Sequence, residues 1–243
     1  TNTTAGLSLA YHKAFGHDRL QHISIGLQGY YVKKSIDFQK LTFGDQFDPG
    51  VGTFSKATRE SFDKMEIGYS DINGGIMYSG RVEDHVTCYI GYSYYHLTQP
   101  VETFLADNHQ IHARHSAYLG GAFEMNENTV LYASGLYQSQ AAATEVLLGA
   151  AVGFVLNPGH DADYQKNTVF YLGGWYRYGD AVAPYVGLEW SKMRIGVSYD
   201  VNVSSFSPAT GGAGAYEISL MYFGRINKHE KSPQYSWSCP KLY

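Results

Sequence analysis

Residues 192–203 (KMRIGVSYDVNV) alternate strictly between two kinds of side chain. The apolar parity consists of Met193, Ile195, Val197, Tyr199, Val201 and Val203. Successive side chains of a β-strand point to opposite faces, so this pattern predicts a strand with one apolar and one polar face. Residues 182–190 alternate in the same way. Only Ser191 and Lys192 separate Trp190, the last alternating residue of this segment, from Met193, the first of the other. This is the spacing of a β-hairpin.

The same alternation recurs along the chain and predicts eleven strands. They lie near residues 7–12, 23–31, 73–79, 86–97, 112–123, 129–139, 145–156, 168–177, 181–190, 192–203 and 215–224. No segment has a convincing helical pattern, and only residues 102–110 are compatible with a helical turn. The sequence therefore predicts an all-β chain.

The length and spacing of these strands favour a membrane wall over a soluble sheet. Strands of about ten residues can cross a bilayer at a tilt, whereas strands in soluble sheets are usually nearer five or six. Tight turns mostly alternate with long connections, notably residues 33–69 and 98–110. Aromatic residues cluster near strand ends, as in an interfacial girdle: Tyr30, Tyr31, Tyr94, Tyr95, Trp175, Tyr176 and Trp190. The predicted fold is a transmembrane up-and-down antiparallel β-barrel, with a soluble β-domain as the alternative.

Composition excludes several other classes. Charged residues make up 16% of the 243 residues, against about 25% in typical soluble domains. The mean hydropathy is nevertheless −0.28, so the chain is polar without being highly charged. A net charge of −4 gives no electrostatic basis for binding nucleic acid. No stretch approaches the roughly 18 apolar residues of a transmembrane helix.

Strand parity carries an expectation about the whole barrel. Bacterial single-chain barrels normally have an even number of strands with both termini on the periplasmic rim. Here the last predicted strand ends on the short-turn rim, but the first begins on the long-loop rim. An odd number of further strands is therefore expected upstream. Residues 1–224 are interpreted as barrel and 225–243 as a periplasmic tail.

The polar parity of the C-terminal strands contains the candidate interior residues. They are Arg177, Glu189, Arg194, Asp200 and Glu217. Opposite charges on neighbouring strands can pair across a barrel interior, and buried charges are tolerated when they are paired. A structural network is the favoured interpretation, and a selective pore or ligand site is the alternative.

No pattern predicts catalysis, a cofactor site or a metal site. His109, His112 and His115 are spaced by three, which on a strand places them on alternating faces rather than around one ion. Gly211, Gly212 and Gly214 are not followed by a helix, so they do not form a phosphate-binding loop. No nucleophile-elbow sequence is present. The chain is interpreted as non-enzymatic.

Six segments taken together resemble the PorP/SprF family of type IX secretion system membrane proteins. They are SLAYHKAFG (8–16), KSIDFQKLTFGDQFD (34–48), YIGYSYYHLTQPVETF (89–104), YLGGWYRYGDAVAPYVGLEW (171–190), RIGVSYDVNVSSFSPAT (194–210) and GAYEISLMY (214–222). The ending SWSCPKLY is similar to the family's terminal Cys-Pro-Arg-Phe and departs from it at Lys241 and Leu242. The resemblance covers nearly the whole chain.

The resemblance implies an outer-membrane protein of Bacteroidota that works with the type IX secretion and gliding machinery. Its implied role is secretion or surface attachment of adhesins and other cargo with a C-terminal sorting domain. Family members carry additional N-terminal strands, and three more would give a fourteen-stranded barrel. No catalytic residues carry over.

We therefore expect a barrel in outer-membrane lipid that docks secreted adhesin cargo or secretion-machinery subunits. The long loops are the expected contact surface, with Phe43, Gly44, Asp45, Gln46, Gln99, Pro100 and Glu102 as candidate residues. The tail beyond residue 224 is expected to meet periplasmic components. A diffusion porin or small-solute channel is the alternative function.

Overall fold

The computed structural model describes residues 1–16, 19–37, 40–55, 57–59, 65–104, 109–156, 168–205 and 207–223. The predicted tail, 225–243, lies outside these residues. Thirteen strands are described: β1 (Asn2–Phe15), β2 (Gln21–Ile36), β3 (Phe47–Asp48), β4 (Thr53–Phe54), β5 (Met65–Glu83), β6 (Val86–Tyr95), β7 (Arg114–Asn126), β8 (Thr129–Gln140), β9 (Ala143–Val155), β10 (Thr168–Arg177), β11 (Ala181–Trp190), β12 (Met193–Asn202) and β13 (Ala213–Tyr222).

Eleven of these strands form one sheet, and their order in the sheet follows their order in the chain. The sheet runs β1-β2-β5-β6-β7-β8-β9-β10-β11-β12-β13, while β3 and β4 form a separate ribbon. From β7 to β13 each strand pairs antiparallel with the next. This confirms the all-β, up-and-down prediction and its count of eleven sheet strands. β1 and β13 are the two ends of the described order, so these strands do not by themselves close the sheet.

Two features differ in extent from the sequence prediction. β5 has 19 residues rather than the predicted seven, because Tyr69 and Asp71 extend it upstream on a polar parity that an apolar pattern does not reveal. A four-residue α-helix, α1 (Ser207–Thr210), lies between β12 and β13. In the predicted turn at 102–110, Val101 and Gln110 form a β-bridge, and residues 105–108 lie outside the described part. No helix among the described residues is long and apolar enough to cross a membrane.

The described residues divide into two compact units. The first comprises Thr1–Ala10, Gly26–Gly74 and Tyr94–Ala113, and the second comprises Tyr11–Ile25, Gly75–Ser93 and Arg114–Tyr243. In the second unit the apolar parity of β12 and β13 is exposed, with Val197 at 47% and Ile218 at 77%. The opposite parity buries Arg194 at 3% exposed. This inversion of the usual soluble arrangement is what a lipid-facing wall requires.

Aromatic rings in the second unit pack over glycines of neighbouring strands. Trp175 on β10 lies directly opposite Gly149 on β9, and a Cβ at Gly149 would come within 2.4 Å of its ring. Tyr185 covers Gly196 in the same way, with 2.5 Å between the tyrosine ring and a Cβ built on the glycine. The two rings meet edge to face at 5.1 Å. This packing gives a physical use for the many Gly and Tyr residues on the buried face.

Gly149→Ala is expected to lower stability, because the packed Trp175 ring has to leave its position. Overpacking of this kind costs about 1–3 kcal/mol. Heat-modifiable gel mobility of the detergent-extracted protein measures the loss as a lower melting temperature. The control is Gly29→Ala, where an added Cβ meets nothing within 4 Å. Equal melting temperatures for the two variants would contradict the packing argument.

Candidate functional site

The most buried charge of the second unit is Arg194, at the start of β12. Its partner Glu189 lies directly across the hairpin on β11. Arg194 Nε donates to Glu189 Oε2 at 2.9 Å, and Nη2 reaches the same carboxylate. Nη2 also donates to the Tyr171 hydroxyl at 2.8 Å, and that hydroxyl donates to Glu189 Oε2 at 3.0 Å. The three groups form a closed triangle.

Aromatic rings complete the surroundings of this guanidinium. Its Cζ lies 4.4 Å from the ring centroid of Tyr171 and 5.6 Å from that of Phe223. A desolvated cation over a ring face gains electrostatic energy beyond its ion pair. Tyr171 is itself fully buried. The sequence analysis identified Arg194 and Glu189 but missed Tyr171. The alternation of polar and apolar residues does not distinguish Tyr171 from the other 21 tyrosines of the chain.

A second network surrounds Arg177 at the end of β10. Its Nη1 donates to Asp180 at 3.0 Å and lies 3.7 Å from Asp200, while its Nε lies 3.3 Å from Glu145. Three carboxylates therefore share one guanidinium. The sequence predicted Arg177 and Asp200 but not Asp180, which belongs to the turn before β11, or Glu145 on β9.

A cavity of about 370 Å³ lies beside both networks. Its lining includes Trp175, Arg177, Tyr185, Arg194, Asp200 and Glu217. Four of the five predicted interior residues line it, and the fifth, Glu189, holds Arg194. They share one face of the sheet, as the alternation predicted. Their assignment to the interior of a barrel stays a prediction.

The long connection after β2 belongs to the first unit and contains the short β3–β4 ribbon. A 3-10 turn at Gly44–Gln46 leads into the β3–β4 ribbon, where Phe47 and Phe54 pack edge to face at 5.2 Å. Asp45 accepts from the backbone N–H of Arg59 at 2.7 Å and from the Thr58 hydroxyl at 3.1 Å. These hydrogen bonds lower the pKa of the Asp45 carboxyl below its usual value, and the bond from the Arg59 backbone N–H contributes most.

This connection contains four of the seven predicted partner residues. Phe43 N–H donates to the Gln46 side chain at 2.8 Å, so both residues shape the turn, whereas Gly44 and Asp45 are exposed. The sequence analysis missed the exposed apolar residues on either side of them. Leu41, Phe47, Val51 and Phe54 are all exposed, Val51 at 71% and Phe54 at 58%.

The connection between β6 and β7 contains the other three predicted residues. Gln99 and Pro100 are half-buried, and Gln99 has a positive φ of 45°. Glu102 forms an ion pair with Lys34 of β2 and accepts a hydrogen bond from the Tyr69 hydroxyl at 3.0 Å. The Lys34 ammonium lowers the pKa of the Glu102 carboxyl. Glu102 is thus engaged within its own chain.

The three spaced histidines are not brought together. His115 pairs with the Tyr92 hydroxyl at 2.6 Å, and the backbone oxygen of His109 accepts from Glu102. Across the described ranges, no group of three or more potential ligands is placed to hold a metal ion.

The fold and these sites define a class of protein: an antiparallel β wall whose apolar face is exposed and whose polar face contains paired charges. The family model described as "Type IX secretion system membrane protein PorP/SprF" matches residues 1–222. The chain belongs to this family, which makes it a type IX secretion outer-membrane component. No curated protein matches the chain.

Removing the charge of Arg194 is expected to destabilise the protein strongly. Arg194→Met leaves the Glu189 carboxylate, whose side chain is 14% exposed, without its cation. Breaking a fully buried pair from one side costs about 3–5 kcal/mol, so the loss here should approach the lower end of that range. Thermal melting in detergent measures the loss. Replacing both partners, as Arg194→Met with Glu189→Leu, should restore much of the stability, because the orphaned charge is then absent. A double variant as unstable as the single one would refute this account.

The Glu102–Lys34 pair predicts a pH dependence of stability. The folded pKa of Glu102 is depressed, so the pair stabilises the protein above the ordinary carboxyl pKa of about 4.3. That contribution is lost as the pH falls through the folded pKa. At neutral pH, wild type should melt at a higher temperature than Glu102→Gln by a constant margin, because the pair contributes about 1 kcal/mol to stability. This margin should vanish in acid. A difference that persists below the folded pKa would contradict the assignment.

Proposed function

We propose that this protein is a non-enzymatic, multi-pass outer-membrane barrel that docks secreted cargo for the type IX system. The expected cargo is an adhesin or another protein with a C-terminal sorting domain, and subunits of the secretion machinery are alternative partners. The observation that carries the proposal is the connection at residues 40–55, which presents apolar side chains to solvent in a member of a secretion family.

The geometry of this connection suits a docking element. Its exposed large apolar residues are Leu41, Phe47, Val51 and Phe54, and we call them the apolar loop surface. Aromatic side chains are common anchors of protein interfaces because they bury a large area at a small cost in rotamer entropy. The Phe47–Phe54 contact and the Asp45 bonds fix the connection before a partner arrives. A preorganised element loses less conformational entropy on binding.

The predicted partner residues divide into two groups on this view. Gly44 and Asp45 lie beside the apolar loop surface and belong to its polar rim. Phe43 and Gln46 shape the turn, and Glu102 fastens the other connection. We therefore place the principal contact on residues 41–54 rather than on the stretch from Gln99 to Glu102.

A diffusion porin is the alternative function and is less well supported. Its interior has to leave a continuous wet path. The polar face of the second unit instead carries Arg194 and Tyr171 packed together, and the rings of Trp175 and Tyr185 beside them.

Phe47→Ala combined with Phe54→Ala is expected to reduce recovery of cargo. Affinity purification of the full-length protein from native membranes in mild detergent should retain sorting-domain cargo or secretion subunits with wild type. The double variant should lose most of them, because two central apolar anchors together contribute several kcal/mol, roughly 2 or more each. The matched control is Thr53→Ala, an exposed residue of the same ribbon. The proposal fails if wild type recovers no type IX component or sorting-domain cargo.

A further inference from the structure

The cavity beside Arg177 lies within the second unit, on the polar face of the last four strands of the sheet. Strand register places Arg177 opposite Ala181 and Trp175 opposite Ala183. Each long side chain therefore has an alanine beside it on β11, and both alanines line the cavity. The volume of about 370 Å³ is at the small end of the range for ligand pockets, roughly 300–1,000 Å³. It suits one long side chain or a molecule of similar size.

Carboxylates outnumber the cation at the Arg177 end of this cavity. The Arg177 Nη1 atom lies 3.0 Å from Asp180 Oδ2 and 3.7 Å from Asp200 Oδ2, while Nε lies 3.3 Å from Glu145 Oε1. One positive charge therefore faces three negative charges. Arg194, the other cation of the lining, is already neutralised by its own ion pair. The local excess of negative charge repels an anion and attracts a cation.

Glu217 on β13 adds a further carboxylate to the lining. Strand register places it opposite Ser198, which lies two residues before Asp200 on the same face of β12. Diagonal neighbours of this kind are about 7–8 Å apart, so one cation can lie between the two carboxylates. Glu217 is exposed and forms no hydrogen bond or ion pair with any residue in the described ranges. Its charge is therefore available to a ligand.

The hydroxyl group of Tyr185 is an independent sign of a ligand. Tyr185 is 8% exposed, lines the cavity and packs edge to face against Trp175 at 5.1 Å. Within the described part of the chain, its hydroxyl forms no hydrogen bond. Arg114 Nε is the one unpartnered side-chain nitrogen or oxygen that the described residues enclose completely, so the Tyr185 oxygen keeps access to the cavity. A hydroxyl buried to this extent normally has a partner, and a ligand in the cavity can provide one.

We propose that this cavity binds a cationic group on an aliphatic stem, namely a guanidinium or ammonium group like that of an arginine or lysine side chain. The charged head lies between Asp200 and Glu217 and donates to the Tyr185 hydroxyl, and the stem packs against the Trp175 ring. A guanidinium fits best, because its planar donors match carboxylates and its face stacks on aromatic rings. This inference does not rest on cargo docking, since no residue of the cavity lining belongs to the 40–55 connection.

Calorimetric titration of the purified full-length protein in a non-ionic detergent tests the cavity. The probe is 1-butylguanidinium, and its matched control is 1-butylurea, which has nearly the same shape without the charge. The cation should bind about tenfold or more tightly than the urea, because hydrogen bonds to ionised groups are the stronger ones.

A peptide identifies the source of the cation. Acetyl-glycyl-arginyl-glycine amide is titrated beside 1-butylguanidinium, with the citrulline peptide as its neutral counterpart. Tighter binding of the arginine peptide assigns the cavity to a side chain of a polypeptide. Equal or weaker binding of that peptide assigns it to a small free cation. Both outcomes support a cation site.

Two variants locate the binding. Asp200→Asn combined with Glu217→Gln should weaken the affinity for 1-butylguanidinium by about tenfold or more. The matched control is Glu124→Gln combined with Glu127→Gln, which changes the net charge equally at exposed positions outside the cavity lining and should bind as wild type. Heat-modifiable mobility verifies that each variant is folded.

Tyr185→Phe separates a role in binding from a role in packing. It keeps the ring against Trp175 and removes only the hydroxyl, which bonds to none of the described residues. The affinity for 1-butylguanidinium should fall several-fold, whereas the melting temperature without the probe should stay unchanged.

Three results would overturn the proposal: no binding of either cationic probe, equal affinity for 1-butylguanidinium and 1-butylurea, or a folded Asp200→Asn, Glu217→Gln variant that binds as wild type. None of these bears on cargo recovery, so failure here is distinguishable from failure of the docking proposal.

Discussion

The structure depends on satisfying the charges that its polar parity buries, above all Arg194 and Asp71. The apolar parity is the exposed one, so these charges have to be packed and paired on the opposite face. An isolated ion at such a site is prohibitively costly, and a pair is tolerated only with good geometry and further hydrogen bonds. Arg194, Glu189 and Tyr171 meet that requirement with a closed triangle of hydrogen bonds. Asp71 meets it with three donors and the His96 ring.

Glycine is the second means of filling this face. Aromatic rings fill the space beside the charged networks. The rings of Trp175 and Tyr185 pack against backbone that carries no side chain. Gly149 and Gly196 provide this backbone, because any side chain there would overlap the ring. Paired charges and ring-on-glycine contacts thus occur on the same strands, and each depends on a fixed strand register. A slip of one residue would exchange the exposed apolar face and the polar face.

The strands, their order and their two faces were predictable from sequence because they depend on a period of two along the chain. The register of neighbouring strands then brings Glu189 opposite Arg194 across a short turn, which alternation also indicates. The hydrogen bonds and ion pairs of the Asp71 and Glu102 carboxylates were not predictable. Each joins residues separated by 25 to 68 positions in the chain, as in the contacts of Asp71 with His96 and of Lys34 with Glu102. The β3–β4 ribbon was missed because two-residue strands carry no detectable period.

The two long connections are held in different ways in their described parts. In residues 40–55 and 57–59, Asp45 and the Phe47–Phe54 contact link parts of the connection to each other, and apolar side chains are exposed. In the connection after β6, Glu102 is paired with Lys34 of β2. Recruiting Glu102 to a partner would break an existing ion pair, whereas covering Phe54 or Val51 buries surface that is now in water. The proposed docking therefore has a hydrophobic gain available at the first connection, whereas at Glu102 it would first have to break an ion pair.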